Sequence, residues 1–263
     1  ARPTDTFAAL LPAVLCGTIS MSERVNAGML VRRYSGKLLR MVIGFSFIAL
    51  GVVIAKQSYC LSPWNVLNDG LAYTFPITIG QANITVGMTI LVINLLFLHE
   101  TFGVGTVLNI WLVGVITDLL MKLNTAWDIL PKIHSVPLQI LCCLASLICN
   151  ALGIYFYMSA RMGAGPRDTV IVFLTKHLPL PVGLCKLLLE AAACLTGWLI
   201  GGEVGIGSLI SVFCGGPILQ QVFRLFRFNV KQLRGENITD TWQILRGKRL
   251  PPEMEMAAET PGK

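Results

Sequence analysis

The sequence predicts an all-α, polytopic membrane protein of six transmembrane helices, arranged as two inverted three-helix repeats. Each repeat carries a short proline-led polar segment that is re-entrant or breaks a helix. Three observations carry this prediction. Of 263 residues, 54% are apolar and 13% charged, about half the charged share of a soluble domain, and the mean hydropathy is +0.68. Charge is also segregated: residues 41–223 hold seven basic and seven acidic groups, residues 1–40 six and two, and residues 224–263 eight and five. The net +7 therefore sits at the two ends, which suits a membrane protein and not a nucleic-acid binder. Finally, landmarks of the first half recur in the second. These features divide the chain into a cytoplasmic N-terminal segment (1–37), a single membrane domain (38–226, with repeat one over about 38–122 and repeat two over about 135–226) and a basic cytoplasmic tail (227–263).

Taken in order, the first helix covers about 38–59, where the uncharged run 41–55 lies between Arg40 and Lys56, both long enough to snorkel to an interface. The second covers about 80–98, closed by His99 and Glu100, and the third about 103–122, ending at Lys122. The uncharged run 135–160 forms the fourth, about 181–202 the fifth, and 204–223, before Arg224, the sixth. Six spans place both ends on one side. With the N terminus inside, the cytoplasmic segments hold 17 basic residues and the outer loops three (Lys56, Lys122, Lys132), so both termini are expected in the cytoplasm. Residues 7–19 are apolar but too few to span, and read as interfacial or disordered. Residues 224–250 mix basic and apolar groups; they either lie on the inner leaflet or are solvated, and the final stretch reads as disordered. Eight cysteines lie mostly inside apolar runs with no CxxC spacing, so they read as small packing residues.

The repeat rests on three landmarks. Leu61-Ser62-Pro63-Trp64-Asn65 follows the first helix, and Ala164-Gly165-Pro166-Arg167-Asp168 follows the fourth. Phe102-Gly103-Val104-Gly105-Thr106 is matched by Val204-Gly205-Ile206-Gly207-Ser208, and Gly114 by Gly216. Three helices per half is an odd number, so the second half enters the membrane from the opposite side, as in many secondary transporters. Proline followed by polar residues at corresponding places is the expected pointer to a binding site made by broken helices.

The SPWN…NDG segment, the GVGT…G turn, the GAGPRD segment, Glu190, and GGEVGIGS followed by GGP together resemble the YczE/YyaS/YitT-type family of bacterial integral membrane proteins, over about residues 38–226. The resemblance implies a plasma-membrane protein of transporter-like build and supplies no substrate. Asn65 stands where that family's motif often has an acid, which removes a charge, and Ser208 stands where threonine is common.

Ionisable groups inside spans are costly and mark functional candidates. Glu190 sits mid-span, with Lys186 one turn earlier and Arg167 as alternative partners; a structural ion pair is the competing reading. Arg167 and Asp168 follow Gly165-Pro166 at a helix start, where backbone N–H groups and a guanidinium favour an anionic group, although Arg167 also fits a positive-inside anchor. The matched segment offers Trp64, Asn65 and Asp69, the last two spaced to share a helix face, while Trp64 also suits an interfacial belt. Asp118 and Gln220 are weaker candidates near helix ends. The substrate-binding set is thus Trp64, Asn65, Asp69, Arg167, Asp168, Lys186 and Glu190. The Gly-x-Gly turns complete neither GxGxxG nor a Walker motif, and instead suit tight helix crossings or a hinge. Three scattered histidines give no metal spacing, and no catalytic constellation is present, so neither a metal, a cofactor nor an enzyme activity is expected.

The expected function is a plasma-membrane secondary transporter or permease for a small solute, with an anionic one as an option. The alternative is a non-transporting accessory or regulatory membrane protein acting through a partner. The expected partners are the lipid bilayer and the solute, with self-association left open and no nucleic acid.

Overall fold

A computed structural model describes residues 27–98, 102–163, 165–177, 182–228 and 236–245, and all regular structure among them is helical. The chain forms α1 (Ala27–Gln57), α2 (Pro63–Thr74), α3 (Ile79–Ile93, continued by a π-helical turn at Asn94–Leu98) and α4 (Val104–Trp127). It continues as α5 (Val136–Ser159), α6 (Pro166–His177), α7 (Val182–Leu199), α8 (Ile206–Leu225) and α9 (Ile238–Leu245). Four stretches are long and apolar enough to cross a membrane: Arg32–Gln57, Ile79–Leu98, Val104–Trp127 and Val136–Ser159. At 1.5 Å per residue each reaches the roughly 30 Å of a hydrocarbon core. The protein is therefore a multi-pass membrane protein. α7 and α8, over the predicted fifth and sixth spans, are not among those four. The predicted interfacial segment 7–19 lies outside the described residues, as does the stretch 246–263.

The two proline-led segments form 12-residue helices, about 18 Å long, or little more than half a hydrocarbon core. Proline suits the first turn because its missing N–H has no intrahelical partner there. A left-handed residue precedes each, Tyr59 (φ 54°) after α1 and Arg161 (φ 55°) after α5, and reverses the chain. α4 and α8 each start from a glycine: the Gly103 N–H donates to Thr106 Oγ1 (3.3 Å) and the Gly205 N–H to Ser208 Oγ (3.4 Å). A Cβ on Gly103 would overlap the carbonyl oxygen of Met162, which shows why the turn needs glycine.

α1 runs along α5 and packs on α4; α4 packs on α3, α5 on α8, and α2 lies between α7 and α3. The α1–α5 crossing is tight, since a Cβ on Gly44 would stand 2.7 Å from the Gly153 carbonyl oxygen. Around it Met41, Phe45, Val113, Tyr157 and Ala160 are buried together. Long aliphatic side chains elsewhere, such as Leu96, Leu119, Leu141 and Leu199, are exposed, as hydrocarbon-facing residues must be in a bundle whose solvent is lipid.

Four details differ from the sequence reading. α1 begins well before residue 38, because Arg33, Tyr34 and Lys37 share one face that is held by Glu236. α4 continues past Lys122 to Trp127, where Asn124 exchanges hydrogen bonds with the backbone of Leu130 (3.1 and 2.8 Å) and Asp128 adopts a left-handed cap. Cys60 and Cys143, expected as packing residues, form a disulfide that ties the turn after α1 to α5, which lies alongside. Part of the tail, expected on the leaflet or in solvent, is docked on the bundle. The Glu236 N–H donates to Arg161 O (2.9 Å) and the Ile238 N–H to Phe102 O (3.2 Å), and Ile244 is fully buried.

Candidate functional site

A cavity of about 150 Å³ lies among the helices, and its polar lining includes Asn65, Asn68, Asn83, Asn109, Asn150 and Arg167. The two half-length helices both begin here: Ser62 and Asn65 come from the start of α2, and Gly165, Pro166 and Arg167 from the start of α6. Two helix N-termini, each with a partial positive charge, thus face one chamber. The lining also includes aliphatic side chains, Ile48 and Val52 of α1, Ile110 and Val113 of α4 and Ile154 of α5.

Arg167 is positioned from two sides. Its Nη2 donates to Asn83 Oδ1 (3.0 Å), and its guanidinium lies 4.9 Å from the centroid of the Trp64 ring, within the range of a cation–π contact. Asn83 Oδ1 also accepts from Asn68 Nδ2 (3.3 Å). Asn68 is 1% exposed, and among the described residues its own Oδ1 has no hydrogen-bond partner.

Of the residues singled out in the sequence, Trp64, Asn65 and Arg167 are brought together here. Asp69, expected to share a face with Asn65, belongs to a different site: one helical turn carries it into a second, open cavity of about 670 Å³ lined also by Lys56, Asp118 and Glu203. There Lys56 Nζ lies 2.7 Å from Asp69 Oδ1 and 2.8 Å from Glu203 Oε2, and Asp69 Oδ2 accepts the Glu203 N–H (3.0 Å). Asp118 accepts from Thr78 Oγ1 and from the Gly80 N–H (2.8 Å), so it fastens α4 to the start of α3. Glu190 is half-buried on α7 and lines neither cavity. The side chains of Asp168 and Lys186, and with them the expected Lys186–Glu190 pairing, lie outside the described residues. Gln220 is exposed on α8.

Ionisability as a criterion does not reach Asn68, Asn83, Asn109 and Asn150, which line the cavity beside Asn65. The available signal was Asn83, Asn109 and Asn150, each inside an otherwise apolar span, where an amide needs a partner that lipid does not supply. Lys56 read as a snorkelling end residue, and its two carboxylate partners were not legible. Glu236 gave no signal, being one acid in a basic tail.

Comparison with known proteins establishes kinship, and one of the relatives is a membrane protein. The chain is 28% identical over 179 residues to the uncharacterized membrane protein YczE of Bacillus subtilis, covering 67% of this chain and 80% of that protein. It is 26% identical over 182 residues to an uncharacterized protein of Haemophilus influenzae (68% and 80%), and 22% identical over 180 residues to the uncharacterized protein YyaS of Bacillus subtilis (67% and 87%). No solved structure matches. The model of the family of unknown function DUF6198 matches residues 35–224, so the chain belongs to this YczE/YyaS-type family of membrane proteins.

Proposed function

We propose that this protein is a six-helix secondary transporter or permease of a bacterial plasma membrane, which carries a small anionic solute through the central cavity with Trp64, Asn65 and Arg167 at the binding site. The observation that carries the reading is the polar chamber itself. Amides and a guanidinium converge where the surrounding helices are apolar, and such groups are costly there unless water or a solute meets them. A closed apolar core would instead have favoured the accessory role.

The inverted repeat draws support from matched detail. The α1–α4 contact has its counterpart in α5–α8, and α2–α7 in α6–α3. Tyr59 and Arg161 turn alike, Gly103 packs against Met162 as Gly205 does against Tyr59, and Gly44 meets Gly153 as Gly51 meets Ser146. On this reading α2 and α6 are the inner halves of two re-entrant segments that enter from opposite faces. Broken helices whose N-termini face a chamber are a recurring way to hold an anionic substrate group in transporters.

Two measurements test the proposal. In a cysteine-free background, Asn150→Cys is expected to react with a small charged thiol reagent; complete protection in folded protein would overturn the chamber as a solute path. Asp128→Cys and His177→Cys, both at exposed positions, are expected to label from opposite faces, with residue 177 cytoplasmic together with both termini. Labelling from one face would refute the inverted arrangement.

A further inference from the structure

The two cavities adjoin, and the elements that line them pass from one to the other within a single turn. α1 contributes Val52 to the chamber and Lys56 to the open cavity, α2 contributes Asn68 and then Asp69, and α4 contributes Thr117 and then Asp118. At the start of α3, Ile79 lines both, and it is the one residue among those described that does so. The chamber and the open cavity are therefore stacked end to end, with Ile79 between them.

The surroundings of Ile79 suit a seal. Polar groups stand on each side of it, Asn68 and Thr117 in the chamber, and Lys56, Asp69 and Asp118 in the open cavity. An apolar constriction between polar cavities excludes water and ions until it widens. The backbone at Ile79 is fixed, because both of its neighbours donate to one carboxylate on α4: Thr78 through its hydroxyl, and Gly80 through its N–H (2.8 Å), to Asp118. The reciprocal hydrogen bonds between Thr78 and Gln81 (3.0 and 3.1 Å) hold the same turn from within α3. What is left to move is the half-buried side chain, and a β-branched side chain has few rotamers to choose from.

We propose that Ile79 is the gate of the solute path: its side chain closes the chamber toward the open cavity, which is the mouth of that path on the face where Asp128 lies. The face follows from α4, whose last turns, from Asp118 to Ala126, line the mouth just before Asp128. This rests on the chamber being a solute path, and adds where the path opens and what closes it.

The test keeps the Cys60–Cys143 disulfide, removes the other cysteines and introduces Asn150→Cys as a reporter inside the chamber. In sealed, uniformly oriented vesicles, a negatively charged methanethiosulfonate reagent is added from the face of residue 128. Ile79→Ala is expected to raise the labelling rate at least tenfold and Ile79→Trp to lower it at least tenfold, while labelling from the opposite face changes less than twofold. Should those variants fail to fold, Ile79→Cys in place of Asn150→Cys decides: it is expected to react from the face of residue 128, and its protection there would overturn the gate. An Asn150→Cys rate indifferent to both replacements of Ile79 would overturn the gate and leave the chamber as a solute path. Acceleration from the opposite face alone would overturn the mouth, and with it the gate as placed here. Protection of Asn150→Cys even beside Ile79→Ala would overturn the solute path itself.

Discussion

Glu236→Ala is expected to cost about 3–5 kcal/mol of stability, because it strips a buried carboxylate from two cations. Glu236 is 1% exposed; it pairs with Arg33, receives Lys37 Nζ at 2.6 Å and accepts from the Tyr34 hydroxyl at 3.3 Å. Lys37 is itself only 8% exposed. Removing the acid takes this carboxylate from two cations whose side chains are only 13% and 9% exposed, and also loosens the tail from Arg161 and Phe102. For a chain of this size the loss corresponds to a fall in the melting midpoint of roughly 10 °C, to be read by thermal unfolding in detergent. Replacing Arg33, Lys37 and Glu236 together by apolar residues of similar volume is expected to recover much of it, since breaking a buried ionic cluster costs more than replacing it whole. A Glu236→Ala protein that melts like the parent would show that the tail is not docked through this contact.

Gly80→Ala is the second large effect expected. The added methyl would overlap the carbonyl oxygen of Gly114 and stand 2.5 Å from Asp118 Cγ, whose Oδ1 accepts the Gly80 N–H. Neither neighbour yields cheaply, one being backbone and the other fixed by two hydrogen bonds. α3 and α4 would have to separate, at about 3 kcal/mol or more. Gly36→Ala is the matched control: it lies in α1 with nothing within 4 Å of the added carbon, and is expected to stabilise by about 0.5–1 kcal/mol through helix propensity. Equal melting points for the two variants would contradict the α3–α4 crossing.

Much of the helical layout was legible because a membrane imposes long uncharged runs. The uncharged run 135–160 and the helix Val136–Ser159 coincide almost residue for residue. Helix ends were less legible where a tertiary partner moved them, as Glu236 did for α1 and Leu130 for α4. The clusters that give the site its chemistry were least legible. Asn68 and Asn83 lie close in sequence, yet Arg167 reaches Asn83 across 84 residues and Lys56 reaches Glu203 across 147. Local spacing carries no information about such convergence. It placed Asn65 and Asp69 on one face, but says nothing of the two separate chambers that the face meets.

The ionic groups at the two ends of α1 have an electrical consequence. Lys56 with Asp69 and Glu203 sums to one negative charge, whereas Arg33 and Lys37 with Glu236 sum to one positive. Between Lys37 and Lys56 the helix rises about 30 Å, nearly the thickness across which a cell maintains its voltage. Among these six groups charge is therefore separated along α1, negative at the Lys56 end and positive at the Lys37 end. A potential that is negative on the Glu236 side favours this orientation by about 2.3 kcal/mol per charge per 100 mV, and opposes any rearrangement that carries Lys56 outward from its carboxylates.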